Sequence, residues 1–177
     1  MRRLAATLVA TLPLLACSPG EGTPVAPAPQ VHPEPREFRF ETLDGKELSS
    51  ATLTGRVTVI GFAATYDLPS QALARYLALL AKRHRPRLNV ALLVLEPPDN
   101  RPLVQAFVDA LALPYPVAFA DADTIAGLGP FSGLHHVPSL VILDRRCRET
   151  WRHVGLATEQ EIDEAVATAE RVAPAGP

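Results

Sequence analysis

The chain has 177 residues, and its 17 Lys and Arg against 19 Asp and Glu leave a formal net charge of -2. Hydrophobic residues make up 47% and charged residues 20%, which is enough for one packed core and too apolar for a disordered chain. The balance of charge argues against a nucleic-acid partner, and 2 Cys exclude both a disulfide-stapled scaffold and a four-thiolate zinc site.

Met1-Arg2-Arg3 is a basic start, and Leu4 to Ala16 follow without a charge. A bilayer span needs about 20 apolar residues, so this stretch reads as a secretory signal (residues 1–16) rather than a membrane helix. It ends Leu14-Leu15-Ala16-Cys17, which resembles the lipobox of bacterial lipoproteins. The resemblance implies lipidation at Cys17, a membrane-lipid partner held through it, and a place in the cell envelope facing the periplasm or the exterior. Loss of two Arg with the signal moves the net charge from -2 to -4. The stretch up to Arg36 holds six of the 18 Pro and few large apolar residues, so residues 17–36 read as a lipidated Cys and an extended tether.

Strand and helix patterns begin at Phe38, and residues 37–172 read as one α/β domain, with 173–177 as a disordered tail. Phe38 to Leu43 alternates like a half-exposed strand, and Asp44-Gly45 is a turn signal. Val57 to Phe62 is a buried β-branched run. Leu73, Tyr76, Leu77 and Leu80 fall on one helical stripe, and Val90 to Leu95 is a second buried strand closed by Pro97-Pro98. Val104, Phe107, Val108 and Leu111 mark a helix that Pro114 stops. Val117 to Phe119 reads as an edge strand and Asp123 to Leu128 as a helical turn or two. Ser139 to Leu143 and Glu149 to Val154 form a strand pair around the turn Asp144 to Cys147. Thr158 and Glu161 make a capping box for a last helix with the stripe Ile162, Ala165, Val166 and Ala169. This order implies a central sheet flanked by helices on both faces.

The segment from Phe40 to Ser70 resembles the opening of thioredoxin-like proteins of the TlpA/redoxin group. Leu43-Asp44-Gly45-Lys46 stands where those proteins have a hairpin, Gly55-Arg56 where they have Gly-Lys, and Phe62-Ala63-Ala64-Thr65 where they have aromatic-x-Ala-Thr. His136-Val137-Pro138-Ser139 resembles their cis-proline loop, and Val154-Gly155 the pair before the last helix. The likeness implies a thioredoxin-like fold with a central mixed sheet, and thiol-disulfide oxidoreductase as the family activity.

The family's Cys-x-x-Cys falls on Asp67-Leu68-Pro69-Ser70, which has no thiol. Disulfide exchange needs an attacking and a resolving thiol, so Asp67 and Ser70 are degenerate catalytic positions. Asp67 suits a helix N-cap, and Pro69 suits a first turn. A groove remains, formed by Tyr66, Asp67, Pro69, His136, Val137 and Pro138. In the family, backbone beside the cis-proline pairs with an extended peptide. The expected function is therefore a redox-inactive module that binds an envelope protein or peptide, with no cofactor and no metal. One alternative is a thiol oxidoreductase or antioxidant enzyme using Cys147, or a partner's thiol. Arg145, Arg146 and Arg148 would lower the pKa of Cys147 in an exposed turn. Where Cys147 stands, relatives carry Asp-Gly, which makes it a plain turn residue in the other reading. A second alternative is a metal-binding module using Asp67 with His135 and His136, although neighbouring His side chains are expected to point apart. His153 reads as a surface residue of a strand.

Overall fold

The computed structural model describes residues 34–172. The signal, Cys17, most of the tether and the tail lie outside the described residues.

Strands β1 (Arg39–Glu41) and β2 (Glu47–Ser49) form an antiparallel hairpin, with Gly45 at φ 73° in its turn. A one-turn helix, α1 (Ser50–Leu53), follows directly, capped by the Ser49 side chain. Neither β2 nor α1 shows in the sequence pattern, because each is too short to carry a period. Next come β3 (Val57–Ala63), α2 (Leu68–His84), β4 (Leu88–Val94), α3 (Arg101–Leu111) and β5 (Val117–Phe119). The chain ends with α4 (Ala122–Ile125), β6 (Ser139–Leu143), β7 (Glu149–Val154) and α5 (Glu159–Arg171).

The main sheet is mixed and runs β5-β4-β3-β6-β7. Strands β3, β4 and β5 are parallel, while β6 is antiparallel to both β3 and β7. Both crossovers, β3-α2-β4 and β4-α3-β5, step the same way across the sheet. Right-handed connections then place α2 and α3 on one face. Leu73, Leu77, Val104, Phe107, Ile162 and Val166 share one core cluster, so α5 packs there as well. The other face is covered by the hairpin, by α1 through Leu53 and by α4 through Ile125, with Phe131 and Leu134 from the following loop. Helices thus lie on both faces, but the long ones all lie on one.

Two features fix the ends of this sheet. A Cβ at Gly61 would come 2.6 Å from Leu77 Cδ1, so the missing side chain lets α2 settle close onto β3. Between β6 and β7 the register shifts: Ile142 faces Trp151 and Leu143 faces Glu149, leaving Thr150 as an extra residue. The bulge adjoins Glu149, whose carboxylate is fully buried between Arg36 at 3.2 Å and Arg152 at 2.6 Å. Pro35 bridges to Arg148, and the Arg36 N–H donates to the Cys147 carbonyl at 2.8 Å. Contacts with the domain therefore reach two residues into the segment read as tether.

Candidate functional site

Strand β3 ends at Ala63, and the chain must turn through Ala64 to Tyr66 before α2 begins. Asp67 caps that helix with extended backbone, at φ -100° and ψ 118°, and its Oδ2 accepts the Ser70 N–H at 2.8 Å. Pro69 lies in the first turn, where its missing N–H costs nothing. The Ser70 hydroxyl is fully buried; it donates to Asp67 Oδ2 at 2.6 Å and accepts the Ala64 N–H at 3.2 Å. The two degenerate positions are thus joined in one closed set of hydrogen bonds. The carboxylate is an acceptor already in use, and the hydroxyl has no surface for a substrate to reach.

The cis-proline expectation is met: the Val137–Pro138 bond is cis. Phe62 faces Ser139 across the sheet, so the turn before α2 and the loop before β6 leave the sheet at the same edge. Pro138 is buried and its carbonyl accepts the Gly155 N–H at 2.8 Å. Val137 is half-buried, and its N–H and C=O have no backbone partner among the described residues. Four of the seven exposed large apolar side chains among the described residues belong to the segments at this edge: Tyr66 is 78% exposed, Leu68 75%, Val154 52% and Leu156 52%, the others being Leu79, Leu103 and Leu128. Tyr66 also joins Leu103 and Phe107 in lining a shallow cavity of about 380 Å³.

His135 and His136 are exposed, with ring centroids 4.1 Å apart. This corrects the expectation that they diverge: a bend lets one ring tilt against the other, and His135 packs over Gly127. Among the described residues no group of three or more His, Cys, Asp or Glu is placed to hold a metal ion, and the Asp67 carboxylate is spent on its cap. His153 is half-buried and stacks on Trp151 at 5.5 Å.

Cys147 lies elsewhere, at the opposite end of the sheet. It adopts φ 59°, a conformation suited to glycine, in the β6–β7 turn. It is the turn residue of the first reading, and the alternative of an exposed, activated thiol is overturned. The side chain is buried at 2% exposure, its Sγ donates to the Ser50 carbonyl at 3.4 Å, and Thr54 Oγ1 lies 3.8 Å away. Burial pushes the thiol pKa up, Asp144 pushes it further, and the Thr54 contact offsets only part of this. Arg148 is turned to Asp144 at 2.7 Å instead of towards sulfur.

One site residue escaped the sequence reading. Glu96, directly after the apolar run of β4, is buried at 2% exposure. Its carboxylate accepts the Thr65 N–H and the Asn100 side-chain N–H, which pins the turn before α2. An acid between an apolar strand and Pro97-Pro98 was the available signal. Val154 and Leu156 were also missed, because they look like the end of a strand until Gly155 is seen to dock on Pro138.

No family model matches the chain, and no curated protein matches it. Solved structures do resemble it. A DsbF homologue from Corynebacterium diphtheriae is 18% identical with a TM-score of 0.69, covering 84% of this chain and 97% of that one. A thiol:disulfide interchange protein of the thioredoxin family from Chlorobium tepidum is 22% identical with a TM-score of 0.65, covering 83% and 99%. A secreted Mycobacterium tuberculosis disulfide oxidoreductase homologous to Escherichia coli DsbE is 18% identical with a TM-score of 0.61, covering 75% and 96%. Nearly the whole of each neighbour is matched: the chain has a thioredoxin-like fold, as those thiol:disulfide interchange proteins do.

Proposed function

We propose that this chain is a membrane-anchored envelope lipoprotein of thioredoxin-like fold that binds an extended protein segment and does not exchange disulfides. The observation that carries this reading is the Asp67–Ser70 pair. A buried hydroxyl and a capping carboxylate stand where the chemistry requires two thiols, and they bond to each other at 2.6 Å. The only thiol among the described residues, Cys147, is buried at the far end of the sheet. About 20 Å of strand separates the two ends, from the rise of the seven-residue β3.

Binding is supported by what surrounds the pair. The unpartnered backbone of Val137 offers one donor and one acceptor to an added strand. Tyr66, Leu68, Val154 and Leu156 offer apolar surface on either side. The secreted character of one structural neighbour and the Leu-Leu-Ala-Cys17 string support an envelope location. Among the described residues no helix is long and apolar enough to cross a membrane, which is compatible with attachment through Cys17.

An insulin-reduction assay on the purified chain tests the first half: no turnover above background is expected, and robust turnover would falsify a silent site. Capture from envelope extract, comparing the native chain with Tyr66→Ala/Leu68→Ser, tests the second. A partner retained equally by both would remove the groove from the proposal.

A further inference from the structure

The opposite end of the sheet carries a concentration of positive charge that the net balance hides. Arg56, Lys82, Arg85, Arg87, Arg145 and Arg171 are all exposed, and none of them forms an ion pair among the described residues. Backbone contacts tie them into one surface. Arg56 donates to the Pro86 carbonyl at 3.1 Å, the Gly55 N–H to the Arg145 carbonyl at 2.8 Å, and Arg145 to the Glu170 carbonyl at 3.4 Å. These partners are neutral carbonyls, so they orient the guanidinium groups without cancelling their charge. Of the acids around this surface, Asp144 is held by Arg148, Asp163 by Arg83, Asp44 by Lys46 and Glu47 by Arg39, while Glu34, Glu37 and Glu170 form no ion pair with these six cations. Lys82 suits the C-terminus of α2, but Arg56, Arg85, Arg87 and Arg145 lie outside every helix and need another reason.

The same end is where the chain leaves for its N-terminus. Pro35 pairs with Arg148, and Arg36 is fixed both to the Cys147 carbonyl and to the buried Glu149. A lipid at Cys17 would therefore pull on the basic end. The segment between is long enough, at most about 55 Å if fully extended as polyproline, that it cannot by itself press the domain to the surface.

We propose that this basic face is the membrane-docking surface of the domain, seated on anionic lipid headgroups so that Tyr66, Leu68 and the Val137–Pro138 loop point away from the bilayer. The anchor at Cys17 brings the domain to the membrane, and the basic face sets its orientation. An anionic lipid surface is favoured over other polyanions because the tether exits through the patch itself. The inference rests on the envelope-anchored reading for its location, but the surface stands without it.

Hydrogen exchange on the full purified chain tests the proposal, with vesicles of phosphatidylcholine alone or of equal parts phosphatidylcholine and phosphatidylglycerol. Residues 54–56, 84–88 and 145–147 should exchange several-fold more slowly on the anionic vesicles only, while residues 133–137 stay unchanged. High salt should remove the protection. Lys82→Gln/Arg87→Gln, two side chains with no hydrogen bond among the described residues, should weaken docking roughly twenty-five-fold, at about fivefold per cation. Equal exchange on both vesicle types, or protection that survives both salt and the double substitution, would overturn the proposal. Failure to sediment with neutral vesicles would instead remove the anchor at Cys17, and the comparison on anionic vesicles would still decide the docking face.

Discussion

The start of α2 and the β6–β7 turn hold the residues on which redox chemistry in this chain depends, and they fail in complementary ways. The start of α2 keeps the setting that activates a thiol: a helix N-terminus, a buried second position, a cis-proline loop alongside. It has no sulfur. The β6–β7 turn has the sulfur and none of the setting. Cys147 is buried, its pKa is raised, and its nearest polar partners are a carbonyl and a hydroxyl. A thiolate needs exposure and positive potential together, and here the thiol is shut off from solvent, so the Arg residues at that end do not activate it. Reactivity belongs to the site, and the same fold can hold the scaffold and the atom at opposite ends.

The comparison is broken most directly by restoring the atom to the setting. Asp67→Cys/Ser70→Cys should raise insulin reduction from background to steady turnover, because the helix start depresses the first thiol's pKa below its ordinary value of about 8.5. No gain would mean that more than the thiols has been lost. Next in size is Glu149→Ala beside the other end. It leaves the half-buried Arg36 and Arg152 without their buried carboxylate, and urea denaturation should show a loss of about 3 kcal/mol, the low end for breaking a buried pair. A loss below 1 kcal/mol, on the order of an exposed pair, would show that the cluster is effectively solvated. Asp67→Ala removes a cap and the acceptor of the Ser70 hydroxyl; about 1–2 kcal/mol of stability should go with it. An unchanged midpoint would leave Asp67 without its structural role and reopen a chemical one.

Alkaline pH probes the buried acids together. Folding raises the pKa of Cys147, takes Tyr76 up to about 12, and raises Tyr115 by burial. For Tyr76, burial acts first, and Asp163 and Glu159 add to it. Groups with raised pKa values hold more protons folded than unfolded, so their contribution is complete below the unfolded values. It is lost as pH climbs through the folded ones. Stability should decline from about pH 8.5 to 10 upwards, the range in which a free thiol and phenols ionise. A flat profile there would contradict the burial of these groups. The smallest effect is expected from Cys147→Ser, which should leave the insulin assay unchanged. In the native chain this thiol should react with maleimide only when urea opens the domain; fast labelling at neutral pH would restore it as a candidate.

Local sequence carried much of the fold. The strands at Val117–Phe119, Ser139–Leu143 and Glu149–Val154 lie where alternation and β-branching put them, and the Thr158–Glu161 capping box is formed with both of its hydrogen bonds. Asp67 as an N-cap was legible for the same reason: a cap is decided by a residue and the N–H three positions on. The hairpin strand Glu47–Ser49 and helix Ser50–Leu53 were not, since a single turn or three residues give no period. Glu96 and Leu156 were missed because what places them is largely remote in sequence: Glu96 accepts from Thr65 in the turn before α2 as well as from nearby Asn100, and Leu156 follows Gly155, whose N–H docks on the Pro138 loop.

By itself the sequence determined which residues stand at the start of α2 and that no thiol is among them, because composition and spacing are local facts. It also implied the thioredoxin-like resemblance through an ordered set of short motifs. Only the tertiary structure decided where Cys147 sits and that its thiol is shut away, since burial is set by what other segments pack against. The basic face had the same origin. A net charge of -2 is a sum over the chain, and a sum carries no positions. It took the sheet to bring Arg56, Arg87 and Arg145 to one end and to send the N-terminus out beside them.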